Sequence, residues 1–403
     1  MSLFIARRPV FDSHEKIFAY DLAVRGPAGP SGIHEEVQTE QLLAEIFLES
    51  GLDTVADGQG VMLTVGRDML LSGTLPSLPA DRVILQIPSA AGCDADLSAA
   101  CKDLKSVGYR LAVELDDAEA EAPLDLAHLV KVDVTSVPVE LLPDLVQRLG
   151  GHKARLLATN VRHRGERDQC EALGFELFEG YRFSAPESFA RRDIGIEHLA
   201  TFRVLKLVRD PKATDQEIEE LLQGDVGLSY KLLRMVNSAS TGGRDIWSIG
   251  HALRLLGREQ VARWLSVLLV TDGGGKGVRA ELMHLALLRA RMCERFADLA
   301  GLKQTRGSLF LIGMLSVFDQ LLEMPMPTLC DAMDLAPDLR GALVQRADFF
   351  GAVLRFVEAY VSGDWAEVEL LAETLDVKPA ELQPVYLEAM AWATSNRRTG
   401  QSD

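Results

Sequence analysis

Two hydrophobic periods alternate along the first half of the chain. Short β-type runs at 19–25, 60–65, 82–87, 110–114, 129–134 and 155–158 are separated by amphipathic stretches of helix length at 40–48, 94–107, 140–150 and 164–174. Strand followed by helix, repeated in this way, predicts an α/β domain with a largely parallel sheet closed as a barrel. The Gly- and Pro-rich segment 26–32 reads as a loop, because both residues break helix and strand.

After Pro186 the two-residue period stops, and from about His198 onward the pattern is helical. Leu228, Leu232, Leu233 and Val236 fall on one helical face, and Val261, Trp264, Leu265 and Leu268 on another, as core stripes do. Pro211, Gly257, Gly301, Pro325, Pro327 and Pro337 punctuate the helices. The expected division is therefore 1–190 for an α/β domain, 197–395 for an all-α domain, and 396–403 for a polar, frayed tail.

The length of 403 residues exceeds what one hydrophobic core usually supports, which fits two domains. A net charge of -17 works against sequence-independent nucleic-acid binding, which requires a surplus of Lys and Arg on one face. No stretch has the length and apolarity of a membrane span, and no signal-peptide pattern opens the chain. The expected location is cytoplasmic, with neither nucleic acid nor membrane as partner. Cys93, Cys101, Cys170, Cys293 and Cys330 are widely spaced and lack a C-x-x-C pair, so free, mostly buried thiols are expected.

Four motifs in the first half carry a resemblance. Ala6-Arg7-Arg8-Pro9-Val10-Phe11-Asp12 with Ile17-Phe18-Ala19-Tyr20 forms an opening hairpin, followed by Asp21-Leu22-Ala23-Val24-Arg25. Val130-Lys131-Val132-Asp133 and Glu179-Gly180-Tyr181-Arg182-Phe183-Ser184-Ala185-Pro186 come later. In order and spacing they resemble the EAL family of cyclic di-GMP phosphodiesterases. The resemblance implies a modified TIM barrel, complete or incomplete, and a site of Mg2+ or Mn2+ ions held by carboxylates at strand ends.

The positions of that site have changed character here. By the resemblance Asp21 replaces the motif glutamate, Thr64 an asparagine, Gln86 a glutamate and Thr159 another glutamate, while Glu179 takes the place of a glutamine. The acidic pair falls at Glu114-Leu115 or at Asp116-Asp117. Hard cations need several anionic oxygens, so no metal cofactor and no hydrolysis are expected; Mg2+ or Mn2+ would matter only to a residual activity of Asp21, Glu114 or Asp116, Asp133 and Glu179. Two readings stay open for what survives. Arg25 and Lys131 contact a phosphate of intact cyclic di-GMP, or Lys131 and Asp133 persist as a mutually paired remnant.

Gly227-Leu228-Ser229-Tyr230-Lys231-Leu232-Leu233-Arg234-Met235-Val236-Asn237-Ser238-Ala239, followed by Ile246-Trp247-Ser248-Ile249 and Phe310-Leu311-Ile312-Gly313-Met314, resembles the HDOD domain. That implies a helical fold related to HD phosphohydrolases, yet the sequence has no His-Asp dipeptide. His198, His251 and His284 lack the spacing of a metal triad and read as surface or hydrogen-bonded helix residues. Asn237 reads as a helix-linking amide, and 273–277 as a turn, because Ser or Thr does not follow the Gly-Lys of a phosphate loop. The whole implies a bacterial-type EAL–HDOD signal-transduction protein, an adaptor or regulator whose partners are other signalling proteins. Metal-independent cyclic di-GMP sensing is the alternative, and weak phosphodiesterase activity the second alternative.

Overall fold

A computed structural model describes residues 4–25, 56–72, 78–115, 123–161, 163–180, 196–225, 248–271, 277–332 and 335–399, with a few single positions between them. By internal contacts the chain forms two compact units. One comprises Met1–Ser188, Gly275–Leu282 and Phe356–Thr394, the other Phe189–Gly274, Met283–Arg355 and Ser395–Asp403.

The first unit is built on a closed barrel of eight strands in sequence order. They are β1 (Phe4–Asp12), β2 (Ile17–Arg25), β3 (Gly60–Thr64), β4 (Val83–Ile87), β5 (Arg110–Leu115), β6 (Leu129–Asp133), β7 (Arg155–Thr159) and β8 (Leu177–Glu179). β1 runs antiparallel to both neighbours, β2 and β8, and every other pairing is parallel. The barrel is thus complete. The two strands that hydrophobic runs alone leave unassigned, β1 and β8, are those carrying the opening and closing motifs.

Strands such as β4 are buried at every position, which is why they read as continuous apolar runs rather than alternating ones. The helices on the outside are α1 (Arg67–Ser72), α2 (Ala95–Ser106), α3 (Leu142–Leu149) and α4 (Arg164–Leu173). Asp94 caps α2 by accepting from the Leu97 amide, and Gly174, at φ 108°, ends α4. A left-handed turn of that kind favours glycine. The expected helix at 40–48 and the loop at 26–32 lie outside the described residues.

Val10, Ala19, Met62, Ile84, Ala112, Leu129, Leu157 and Leu177, one from each strand, form a single buried cluster inside the barrel. Outside β1 and β2 a second set of contacts forms. Arg7 lies over the Tyr20 ring at 4.2 Å and pairs with Glu281 at 3.4 Å, Tyr20 donates to Glu281 at 3.0 Å, and the Arg7 amide donates to the Tyr386 hydroxyl at 3.0 Å. Burial raises the Glu281 carboxyl against the opposing pull of Arg7 and of the Tyr20 hydrogen bond. These contacts draw 278–282 and 356–394 into the barrel unit, whereas helical period along the chain assigns them wholly to the helical half.

The remaining helices are α5 (Ile196–Arg209), α6 (Asp215–Gln223), α7 (Ile249–Thr271), α8 (Val278–Leu299), α9 (Arg306–Leu315), α10 (Phe318–Leu322), α11 (Met326–Ala332), α12 (Pro337–Gln345), α13 (Asp348–Ser362), α14 (Trp365–Leu375) and α15 (Leu382–Thr399). Thr214 and Glu217 close a capping box on α6. Leu228, Leu232, Val236, Val261 and Leu265 are buried as expected, whereas Trp264 and Leu268 are half-buried; the tighter face of α7 is carried by Ala262 and Leu269. A Cβ on Gly313 would stand 2.4 Å from the Arg289 carbonyl oxygen, so only glycine lets α9 approach α8 so closely. The polar end of the chain stays helical to Thr399, so the tail expected from residue 396 begins later than its composition indicates. Asn237 and 273–276 lie outside the described residues. No described helix is long and apolar enough to cross a membrane.

Candidate functional site at the carboxyl ends of the strands

Because side chains alternate along a strand, the residue two places beyond each inward apolar position also faces the barrel interior. Counting from Ala19, Met62, Ile84, Ala112, Leu129, Leu157 and Leu177, that step reaches Asp21, Thr64, Gln86, Glu114, Lys131, Thr159 and Glu179. On the antiparallel β1 the step runs backward, from Val10 to Arg8. One polar ring therefore lies directly above one apolar layer. This brings seven of the positions singled out in the sequence together, and adds Arg8, which the sequence marks only as part of a hairpin.

The ring is held by charge. Lys131 Nζ donates to Asp21 Oδ2 at 2.6 Å and stands 3.3 Å from both Glu179 Oε2 and Glu114 Oε1. Arg8 forks across the two deepest carboxylates, with its guanidinium 2.8 Å from Asp21 Oδ2 and 3.0 Å from Glu179 Oε1. Gln86 Nε2 donates to Asp21 Oδ1 at 2.6 Å and stands 3.5 Å from Thr64 Oγ1. Thr159 turns to the Val132 carbonyl at 3.4 Å. Asp21, Gln86, Lys131, Thr159 and Glu179 are all buried, while the Glu114 side chain keeps 27% of its exposure.

The two buried carboxyls are driven apart in acidity. Burial would raise the Asp21 carboxyl, but Lys131 and Arg8 outweigh it and hold the group far below the usual carboxylate range. Burial also raises the Glu179 carboxyl. There the same two cations do not prevail, because charged Asp21 stands beside it, and Glu179 is pushed up to about 7. Lys131 is held above its ordinary value, since Asp21, Glu179 and Glu114 together outweigh its own desolvation. One carboxyl thus carries the charge and its neighbour retains a proton through mildly acid pH.

Asp133 takes no part in this cluster. Its Oδ1 accepts from the Thr135 amide at 2.8 Å and hydroxyl at 2.7 Å, and its Oδ2 from Asn160 at 2.8 Å. The expectation that Lys131 and Asp133 pair with each other is therefore corrected. The two project from the same strand, but barrel closure offers Lys131 three carboxylates from other strands, while Thr135 in the turn after β6 and Asn160 just after β7 offer Asp133 neutral donors. The Arg25 side chain, Asp116 and Asp117 lie outside the described residues.

A hard divalent cation needs several free anionic oxygens. Both Asp21 oxygens are already committed, Glu179 faces Arg8 through Oε1 at 3.0 Å while its Oε2, 3.3 Å from Lys131, makes no hydrogen bond among the described residues, and the neighbouring Gln86 presents a donor to Asp21. This donor set does not fit Mg2+ or Mn2+. Among the described residues no group of three or more His, Cys, Asp or Glu is arranged to hold a metal. In the helical half His251 is exposed and His284 fully buried, not at the surface; the His198 side chain lies outside the described residues. Cys93 is exposed, Cys101, Cys170, Cys293 and Cys330 are buried, and all five are free.

In comparison with known proteins, residues 198–324 match the family model of the HDOD domain. A Vibrio cholerae protein named Cyclic di-GMP phosphodiesterase CdgJ is 29% identical over 405 residues, covering 98% of this chain and 93% of that one. A Bacillus subtilis protein, YuxH, named as uncharacterized, is 28% identical over 406 residues, covering 97% and 98%. Similar solved structures include the EAL-domain protein YkuI of Bacillus subtilis in complex with substrate c-di-GMP and calcium, at 16% identity over 64% of this chain and 72% of that one, TM-score 0.37. The EAL domain of Mycobacterium smegmatis DcpA matches at 15% identity over 45% and 91%, TM-score 0.36. The EAL enzyme Bd1971 matches at 12% identity and TM-score 0.33 over 46% of this chain; the chain spans 62% of that protein's length.

Proposed function

We propose that this chain, which carries an HDOD domain over residues 198–324 behind an EAL-like eight-stranded barrel, is a non-catalytic protein of cyclic di-GMP signalling. In this reading it is an adaptor or regulator that acts on other signalling proteins by contact and uses no metal cofactor. The observation that carries the proposal is the compensation of Asp21 and Glu179 by Lys131 and Arg8. A buried carboxylate that already has hydrogen-bonded cationic partners gains little from a metal ion, because binding the ion would first expose those partners as unpaired buried charges.

The name of the Vibrio cholerae relative, a cyclic di-GMP phosphodiesterase, favours hydrolysis; a second reading is metal-independent binding of cyclic di-GMP. Against it stands Lys131, whose three carboxylate neighbours leave it little charge to offer a phosphate. Weak phosphodiesterase activity, the third reading, would need Asp133 released from Thr135 and Asn160.

Calorimetric titration of the full chain with cyclic di-GMP, in EDTA and then in Mg2+ or Mn2+, separates these readings when run beside a product assay. The adaptor reading expects neither binding nor turnover, and no rise in melting temperature on adding the metal. Tight binding in EDTA would establish the sensor instead. Metal-dependent turnover that disappears in Asp133→Ala would establish the enzyme.

A further inference from the structure

The opposite mouth of the barrel, at the amino ends of the strands, holds a cavity of about 670 Å³. Its floor is Phe18, at the start of β2, which packs against the apolar layer of the barrel interior. Around it stand Arg110 and Arg155, the first residues of β5 and β7, with Lys105 from the last turn of α2 and Lys153 from the turn before β7. Asp125 is the one carboxylate on the wall, and it is engaged by His152 at 2.9 Å.

Two observations show that this positive charge is not compensated from within. Arg110 and Arg155 lie over the Phe18 ring at 5.7 and 5.1 Å, so the aromatic face orients both guanidinium groups at the cavity floor. Arg155 has an ion pair with Glu176 at 2.9 Å, but Arg110 makes no hydrogen bond or ion pair among the described residues. Secondly, the groups repel one another: burial and then Arg155 lower the Arg110 guanidinium, and burial, Lys105 and Arg110 lower His128. His128 is itself fixed by accepting from the Leu111 amide at 3.0 Å. In a chain of net charge -17, a concave cluster of like charges raises the local concentration of anions.

We infer that this cavity is a binding site for a compact polyanion of polyphosphate chemistry, seated on Arg110, Lys153 and Lys105 above Phe18. Guanidinium groups suit phosphate oxygens because two N–H groups point the same way. The cavity is a closed-floored cup, and the acidic protein around it opposes a long nucleic-acid strand extending past its rim. The inference does not depend on the reading of the other mouth, since none of these residues belongs to the Asp21 cluster.

Calorimetric titration of the full chain with inorganic tripolyphosphate at low ionic strength is the test. One saturable site is expected, weakened about tenfold or more in Arg110→Gln, the loss of one charge-assisted contact. A smaller weakening is expected in Lys153→Ala, an exposed position that does not put folding at risk, and none in Lys212→Ala on the helical half. Absence of saturable binding, or equal binding by Arg110→Gln and Lys153→Ala, overturns the proposal. So does citrate binding more tightly than tripolyphosphate, or a single-stranded RNA oligonucleotide doing so with loss in Arg110→Gln; these would assign the cavity to carboxylates or to nucleic acid.

Discussion

At the carboxyl ends of the barrel strands, Lys131 and Arg8 meet Asp21 and Glu179 within 3.3 Å. At the amino ends Arg110, Lys153 and Lys105 surround a cavity whose wall holds one carboxylate. β5 supplies both sets, Glu114 to the first and Arg110 to the second, four residues apart and so on the same side of the strand, while Lys105 and Lys153 come from the helix and the turn that precede β5 and β7. What differs is closure. The first set lies inside the barrel, where any unpaired charge is costly, so each cation is matched by a carboxylate from another strand. The second set lies at an open mouth, where water screens like charges and the cost of leaving them unmatched is small. The internally matched end behaves as structure, and the unmatched end has capacity left for a ligand.

The largest effect should come from breaking the matched end. Lys131→Met leaves Asp21 and Glu179 with one cation between them, and loss of one partner from a buried cluster costs about 3–5 kcal/mol. Urea unfolding of the variant beside the parent measures it; a loss under about 1 kcal/mol, the range of solvent-exposed pairs, would mean that the cluster is solvated and the contrast between the two ends is wrong.

A smaller effect is expected from pH. Glu179 titrates at about 7 in the fold and near 4.5 when unfolded, so the folded state holds its proton longer. The stability it contributes is complete below about 4.5 and is lost as pH rises through about 7, with a slope of at most about 1.4 kcal/mol per pH unit. Asp21 runs the other way: its carboxyl is lowered from 3.8, so its contribution is present above that value and lost on acidification. Glu179→Gln should flatten the melting profile between pH 4.5 and about 7 and leave the acid limb in place. An unchanged slope would show that some other group carries the proton.

The smallest effect belongs to the open end. Arg110→Gln removes a charge that has no carboxylate partner, so unfolding free energy should move by no more than about 0.5 kcal/mol while tripolyphosphate binding weakens about tenfold or more. A drop of several kcal/mol would place Arg110 among the structural residues and erase the contrast.

Much of the barrel is legible in the amino-acid sequence, and the reason is local. β3 through β7 are announced by apolar runs, and α2 and α4 by Asp94 and Gly174 at their ends. β8 is three residues long, too short for a hydrophobic run to declare it. The exchange of acidic for neutral groups at Gln86 and Thr159, and of asparagine for threonine at Thr64, is equally readable from the family resemblance. Arg8 escapes such a reading because its role depends on β1 running backward beside β2, which sets Arg8 opposite Asp21. The basic cup escapes it because Lys105, Arg110, Lys153 and Arg155 form no run in the chain. The grouping of 356–394 with the barrel unit escapes it for a related reason: helical period says that a segment has an apolar face, but not which unit covers it.

The sequence by itself determined the alternation of elements and the parity that turns Asp21, Gln86, Lys131 and Glu179 inward, and its resemblance to the family marked the amide of Gln86 as standing where a carboxyl is expected. Only the tertiary structure decided which charge meets which. Lys131 is two residues from Asp133 and 110 from Asp21, yet its ion pair is with Asp21, at 2.6 Å. Parity is a property of the extended backbone and can be counted along the chain. Electrostatic pairing depends on distance through space, which closure of the barrel sets.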